Sequence, residues 1–419
     1  MSPTLMLAWK SANNRRLTAI LTILTVAISV ILLLGVERIR TQAKSSFANT
    51  ISGTDLIVGG RSGQVNLLLY SVFRIGNATN NIDWKSYQEF SQHRSVDWTI
   101  PLSLGDSHKG FRVLGTNQSY FEHYRYGRKQ NLALAQGRSF NGLFETVIGS
   151  EVAKKLGYTI GSEIIIAHGI NDAGFSRHDK LPFKVVGIFE PTGTPVDKTV
   201  HVSLEAIEAI HVGWESGANL GNTPSAEQLL QRDFEPQQIT AMLVGLKSKI
   251  QTFALQRQIN TYPKEPLSAI LPGVALHELW GMMSVAEQAL MAVSIFVVAA
   301  GLLGMLSSLL TSLQERRREM AILRAMGARP RHVFSLLILE ASALTAVGIL
   351  VGTLCLYGLL AAIGPIIAQN YGIQLPLIGL SQYELLLLGA VQLSGTVIGI
   401  IPAIRAYKQS LSDGMTIRV

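Results

Sequence analysis

The chain has 419 residues, 48% of them hydrophobic and 15% charged, with Lys and Arg outnumbering Asp and Glu by 36 to 28. The length leaves room for two or three domains, and the apolar excess points to a membrane protein. A net charge of +8 does not mark a nucleic-acid binder here, because the basic residues cluster beside apolar runs instead of alternating with aromatics.

Crossing a hydrocarbon layer of about 30 Å takes about 20 helical residues, and four segments qualify: 17–36, 289–313, 341–363 and 385–404. The first follows Lys10, Arg15 and Arg16, as a secretion signal would, but its apolar core is too long and no small-x-small cleavage pattern follows; it is expected to remain as an anchor. Basic residues flank the first span on its N-terminal side, fill 316–331 and follow the fourth span at Arg405 and Lys408, whereas 364–384 contains neither Lys nor Arg. The positive-inside rule therefore puts both termini and the 315–331 loop in the cytoplasm, and residues 37–284 outside. Glu37, Arg38, Arg40 and Lys44 give a weak counter-signal. Cys355 lies in an apolar run and is expected to be a small buried hydrophobe.

Residues 37–284 have a mixed composition that can bury its own core. Strand-like runs recur at 55–58, 111–115, 146–149, 163–167, 183–189, 200–203 and 241–246, and helical patterns at 84–93, 150–156, 204–210 and 252–262. Ser150 has the chemistry of a cap, with Glu151 near the positive helix end. This order predicts a large α+β extracytoplasmic domain between the first and second spans. The polar stretch 213–236 reads as a loop or a poorly ordered excursion. From Pro272 to Glu287 the pattern is helical and leads into the second span, and 45–50 looks similar, so both helices are expected to extend beyond the membrane as a stalk.

The densest positive patch is Glu315-Arg316-Arg317-Arg318-Glu319-Met320-Ala321-Ile322-Leu323-Arg324-Ala325-Met326-Gly327-Ala328. At 100° per residue, Glu315, Glu319, Ile322 and Met326 share one stripe with Leu323 beside it, while Arg317 and Arg324 fall opposite. Gly327 suits a left-handed helix stop and Pro330 the first turn of a new helix. The segment reads as a short amphipathic helix, a sharp stop and a second helix entering the third span. Glu340 sits where that span begins, at a depth where an ionisable residue is often functional and where snorkelling or pairing with an arginine is equally open.

This stretch resembles the cytoplasmic coupling element of the MacB/FtsX/LolC-type permeases, the membrane subunits of type VII ABC transporters. The match runs through Glu315, Arg316, Glu319, Met320, Ile322, Leu323, Arg324, Ala325, Met326, Gly327 and Ala328, then Glu340. In the outer region Ala135-Gln136-Gly137-Arg138-Ser139-Phe140, the segment from Val147 to Gly161, and Val185-Val186-Gly187-Ile188 resemble turn, helix and strand signatures of the same family. By that resemblance 38–136 and 237–284 form a porter-like module and 137–236 an inserted lobe. The resemblance also implies two cytoplasmic ABC ATPase subunits as partners, a second permease chain (a homodimer in the simplest case), and a periplasmic adaptor or lipoprotein. The protein would then sit in a bacterial inner membrane, against lipid, with no nucleic acid.

The sequence contains no Gly-x-x-x-x-Gly-Lys-[Ser/Thr] loop, so ATP hydrolysis is expected in a separate subunit, and neither cofactor nor catalytic residue is implied. His168, His178 and Asp179 lie close in sequence but read better as a surface loop than as a metal site. Gln392, Ser394 and Thr396, with Gly395 and Gly399, suggest close helix packing in the fourth span. With four spans and no charge at mid-depth, motion sent across the membrane is favoured over solute passing through it. The ATPase-coupling residues on this reading are Glu315, Arg316, Arg317, Arg318, Glu319, Ile322, Leu323, Arg324, Met326 and Gly327, with Glu340 at the entry of the third span. The alternative is an FtsX-like signalling scaffold that activates a cell-wall hydrolase.

Overall fold

A computed structural model describes residues 16–168, 181–212, 224–315, 322, 329–371 and 377–408. In chain order the longer helices are α1 (Arg16–Thr50), α2 (Gln64–Ser71), α3 (Trp84–Ser91), α4 (Ser150–Leu156), α5 (Leu204–His211), α6 (Thr252–Asn260), α7 (Pro272–Glu315), α8 (Pro330–Tyr371), α9 (Gln382–Ile398) and α10 (Ile400–Lys408). The strands of four residues or more are β1 (Leu56–Gly60), β2 (Val96–His108), β3 (Phe111–Thr116), β4 (Leu134–Gly137), β5 (Glu145–Ile148), β6 (Phe183–Phe189), β7 (Thr199–Ser203), β8 (Ala241–Leu246) and β9 (Leu267–Ile270). The chain divides into two compact units: Ala43–Met283 with Tyr371–Ile373, and the remainder.

The unit outside Ala43–Met283 carries the apolar helices. Among the described residues four segments are long and apolar enough to cross a membrane, in α1, α7, α8 and the α9–α10 pair, and they contain the four spans expected from composition. The fourth is interrupted after Ile398, where Pro402 in the first turn of α10 has no N–H to bond back to Ile398. Two small-xxx-small pairs bring the helices together. A Cβ on Gly348 would lie 2.7 Å from the Val26 Cβ, and one on Gly352 2.7 Å from the Ala27 carbonyl oxygen, so α8 meets α1 backbone to backbone. On α9, Gly395 packs against the Thr345 side chain and Gly399 against the Ala341 Cβ. Gln392 donates its Nε2 to the Ser342 carbonyl and hydroxyl at 3.1 and 2.9 Å, which leaves that amide paired within the helices. Cys355, expected to be buried, is exposed on α8. A span that is apolar all round places such side chains against acyl chains as readily as against protein.

The α/β unit is built on an 11-stranded mixed sheet whose longest path runs β9-β1-β8-β2-β3-β7-β5-β6-β4; Glu163–Ile164 adds to β6 and Ala167–His168 to β2. Alternation divides each strand between two cores. Ile57, Ala241 and Leu243 join Leu67, Leu68, Tyr70, Ile100 and Tyr120 on one face, while Leu56, Val58, Met242 and Val244 join Tyr87, Phe90, Leu255 and Ile259 on the other. With both faces covered, β1 and β8 read as continuous apolar runs, and this is why they were visible in the sequence.

Strand β2 was not expected, although it is the longest. It pairs with β8 through Val96–Leu102 and with β3 from Ser103 onward, so one strand serves two neighbours in turn. Pro101 sits just before the β3 ladder begins, and its carbonyl takes the Thr116 hydroxyl at 2.8 Å, so its missing N–H costs no ladder bond. Ser150 is a second correction. Gly149 is the cap of α4, and a Cβ there would lie 2.3 Å from the Val196 and Asp197 carbonyl oxygens, so the capping position takes glycine. Part of the stretch expected as loop is helix: Ala226–Leu230 opens on a Ser225/Gln228 capping box.

Glycines also explain the turn signatures of the outer region. Gly137 has φ +79°, and a Cβ there would fall 2.0 Å from the Val186 carbonyl oxygen; Gly187 would clash with the Arg138 carbonyl oxygen at 2.3 Å. The two glycines let β4 and β6 approach where Arg138 leaves the sheet to grip Glu145 at 2.8 and 2.5 Å. The Arg138 guanidinium, together with the Asn141 and Gly142 amides, pulls the Glu145 carboxyl down to about 2.

A buried histidine makes this unit acid-sensitive. His201 is fully buried between the Tyr120 and Phe189 rings, its Nδ1 lies 3.2 Å from the Val147 carbonyl oxygen, and burial pushes its pKa down to about 3. The unfolded chain takes up this proton near pH 6.5, whereas the folded chain refuses it until about pH 3. Stability from this group is therefore complete above pH 6.5 and falls with pH at up to about 1.4 kcal/mol per unit. Glu145 adds a second loss that begins near pH 4.5. Urea midpoints of the full chain in detergent, followed by tryptophan fluorescence, should fall from pH 6.5 to 4, and His201→Phe should flatten that decline.

Candidate functional site

The ends of the apolar helices are where charge collects. At the end carrying the amphipathic stretch, α7 is described as far as Glu315, and α8 starts at Pro330, where the sequence placed the first turn of a new helix; the expected stop at Gly327 lies outside the described residues. The His332 amide donates to the Arg329 carbonyl at 2.8 Å in that first turn. Leu313, Val333, Leu337, Ala403 and Ala406 form a buried cluster, with Phe334 and Ile338 packed against it. This brings the last turn of α7, the first turns of α8 and the body of α10 into one packed group. Between them Ile322 is exposed, 58% of its surface free. Glu340 is buried in α8. Arg316, Arg317, Arg318, Glu319, Leu323, Arg324, Met326, Gly327 and the Glu315 side chain lie outside the described residues.

At the opposite ends of the same helices lies a set of charges that the sequence did not connect. Arg38 of α1 donates Nε to Glu384 Oε1 at 2.7 Å, and Nη2 to the Tyr357 hydroxyl at 2.7 Å and the Ile378 carbonyl at 3.1 Å. Its guanidinium carbon lies 4.6 Å from the centre of the Tyr357 ring. The Arg38 and Glu384 side chains are only 11% and 5% exposed. Glu384 also accepts from the Ser381 amide at 2.7 Å while Ser381 Oγ accepts from the Glu384 amide at 3.1 Å, closing the capping box that starts α9.

Beside this pair, Arg40 holds both oxygens of Glu37 at 2.8 and 3.0 Å, and the Thr41 hydroxyl donates to Glu37 at 3.0 Å. Arg40 also approaches Glu287 of α7 at 3.7 Å. Buried charge is tolerable only when paired and hydrogen-bonded, and both conditions are met. Arg38 and Arg40 are therefore neutralised within the helices. A recess of about 150 Å³ adjoins the pair, lined by Thr41, Gln42, Leu360, Ile378 and Gly379 among others. The local signal was present in the sequence as Ser381-Gln382-Tyr383-Glu384, a capping box, but its partner lies 346 residues away.

In the α/β unit a groove of about 770 Å³ is lined by Asp106, Glu208, His211, Asp233, Phe234 and Glu235 among others. Among the described residues no group of three His, Cys, Asp or Glu is placed to hold a metal ion. His178, Asp179 and the His168 side chain lie outside the described residues.

Comparison with known proteins adds a family assignment. The family described as MacB-like periplasmic core domain matches residues 19–262, more than half of the chain, and the family described as FtsX-like permease C-terminal matches residues 291–411. Among solved structures, the periplasmic region of MacB from Actinobacillus actinomycetemcomitans is similar over 55% of this chain and 94% of its own, at 11% identity and a TM-score of 0.34. The extracellular domain of the noncanonic ABC-type transporter YknZ from Gram-positive bacteria is similar over 52% and 99%, at 14% identity and a TM-score of 0.30. No curated protein matches the chain.

Proposed function

The chain belongs to the MacB/FtsX-type ABC transporter permeases, and from that premise we propose that it works by mechanotransmission, coupling ATP hydrolysis in separate subunits to motion of its α/β unit. The observation that carries this reading is the segment between α7 and α8: an amphipathic, arginine-rich stretch within the FtsX-like match, flanked by packed helix ends. Two ATPase subunits dock against residues 315–328, with Ile322, Leu323 and Met326 seated in a groove and the flanking Glu and Arg side chains fixing register. Closure of the ATPase pair shifts this segment, and α1 and α7 carry the shift outward. Two permease chains, identical in the simplest case, match the two ATPases.

On this reading the protein lies in a bacterial inner membrane with both termini and the 315–331 loop in the cytoplasm. Residues 38–136 with 237–284 act as a porter-like module, and 137–236 as a second lobe for an adaptor or lipoprotein. The substrate is drawn from the periplasm or the outer face of the membrane. Two measurements test the proposal. A tagged chain purified from its native host should bring down an ATPase. Impermeant thiol labelling of a Cys355→Ser background should reach a cysteine placed in 137–236 and miss one placed in 315–328; labelling of both from the same side would sink the topology and the docking site with it.

A further inference from the structure

We propose that Arg38, Tyr357 and Glu384 form a releasable clasp that holds α1 against α8 and the start of α9 in one state of the transport cycle and opens in the other. The inference rests on the coupling mechanism proposed above but concerns the opposite ends of the helices.

A buried ion pair between helices is poor evidence for stability, since desolvation offsets most of the attraction; its better-attested role is to specify one arrangement among alternatives. What sets this pair apart is that each group Arg38 touches has a second partner already in place. Without Arg38, the Tyr357 hydroxyl still donates to the Ile378 carbonyl at 2.8 Å. Glu384 still accepts from the Ser381 amide and still caps α9. The Ile378 carbonyl still receives the Tyr357 hydroxyl. Withdrawal of the guanidinium therefore leaves no orphaned hydrogen-bonding group on α8 or α9. One bare charge remains on Glu384, beside a recess large enough for several waters to solvate it.

Arg38 lines the same recess, where water solvates its guanidinium once it leaves Glu384. Two discrete arrangements of one network, with the charges paired to each other in one and solvated in the recess in the other, make a bistable element; a continuously deformable contact would lack them. The neighbouring Arg40–Glu37 pair lies wholly within α1, so release of Arg38 does not require it to break. The clasp thus releases α1 from α8 and α9 without loosening the end of α1.

Spin labels on Gln42→Cys and Gly379→Cys, both lining the recess, in a Cys355→Ser chain reconstituted in nanodiscs, read the state of the clasp through dipolar broadening. The otherwise unaltered chain should show strong broadening. Arg38→Gln and Glu384→Gln should collapse it to the spectrum of singly labelled chains. Tyr357→Phe, which keeps the ion pair, should give an intermediate spectrum and shows that the fold survives. Broadening that persists in both charge variants overturns the clasp. With co-purified ATPase present, trapping with ATP and vanadate should collapse the broadening in the chain whose Arg38 and Glu384 are intact, and nucleotide removal should restore it. Persistence under trapping means a static tether and also overturns the proposal. Failure of any ATPase to co-purify would instead sink the coupling mechanism, and the charge variants still decide whether the contact constrains the helices.

Discussion

Replacing Gly352 with leucine is expected to keep the chain from purifying as a folded, monodisperse species in detergent, whereas the same change at Gly358 on the same helix is expected to be silent. A Cβ at Gly352 would stand 2.7 Å from the Ala27 carbonyl oxygen and 3.0 Å from both the Ala27 Cα and the Val30 Cβ; one at Gly358 would meet nothing within 4 Å. Overpacking costs about 1–3 kcal/mol where neighbouring side chains yield. Here the obstacle is the backbone of α1, which moves only if the whole helix moves, so the cost lies at the top of that range or above. Helix association in lipid lacks a hydrophobic driving force and depends on such close packing. The effect should therefore spread to Val26, Val30, Leu33, Leu34 and Leu356, which share one buried cluster along α1 and α8. Fluorescence-detected size exclusion after a heating series measures it: equal melting temperatures for the two variants would show that α1 and α8 do not pack through these glycines.

How far the sequence anticipates this molecule depends on whether the signal is local. The four spans are local, since a run of about 20 apolar residues has few alternatives. Strands β1 and β8 are local too, being unbroken apolar runs between turn residues, and β6 is apolar apart from Lys184. Strand β2 is not. Its residues Val96-Asp-Trp-Thr-Ile-Pro-Leu-Ser-Leu-Gly-Asp-Ser-His108 mix both faces, contain a proline, and make sense only once β8 covers the first half and β3 the second. Strand β9 is four residues long and merges in sequence with the run that begins α7. The charged network at Arg38 was the least legible. Lone charges beside an apolar run read as interfacial residues, and nothing local says that Arg38 and Glu384 meet. The amphipathic segment is the converse case, a pattern of 14 residues that announces itself while most of its geometry lies outside the described residues.

That segment carries the second large effect. Ile322→Asp with Met326→Asp is expected to abolish co-purification of the ATPase while leaving the chain folded and in the membrane. Ile322 is a large aliphatic side chain with 58% of its surface exposed, in a segment within the FtsX-like match where the ATPase is proposed to dock. Burying each such side chain in a groove is worth about 1.5–3 kcal/mol. Losing two of them weakens binding by on the order of 10² to 10⁴-fold before the cost of desolvating two carboxylates is counted. Arg317, on the opposite face by helical periodicity, serves as the contrast. As a charge at the rim it is worth roughly 0–1 kcal/mol, so Arg317→Ala should reduce association several-fold at most and make it less sensitive to salt. Pull-downs at low and high salt separate the two classes. If the double aspartate chain still retains its ATPase, the apolar stripe is not the docking face; if Arg317→Ala alone releases the ATPase, the contact is electrostatic and the groove should be sought along the arginine face of the helix.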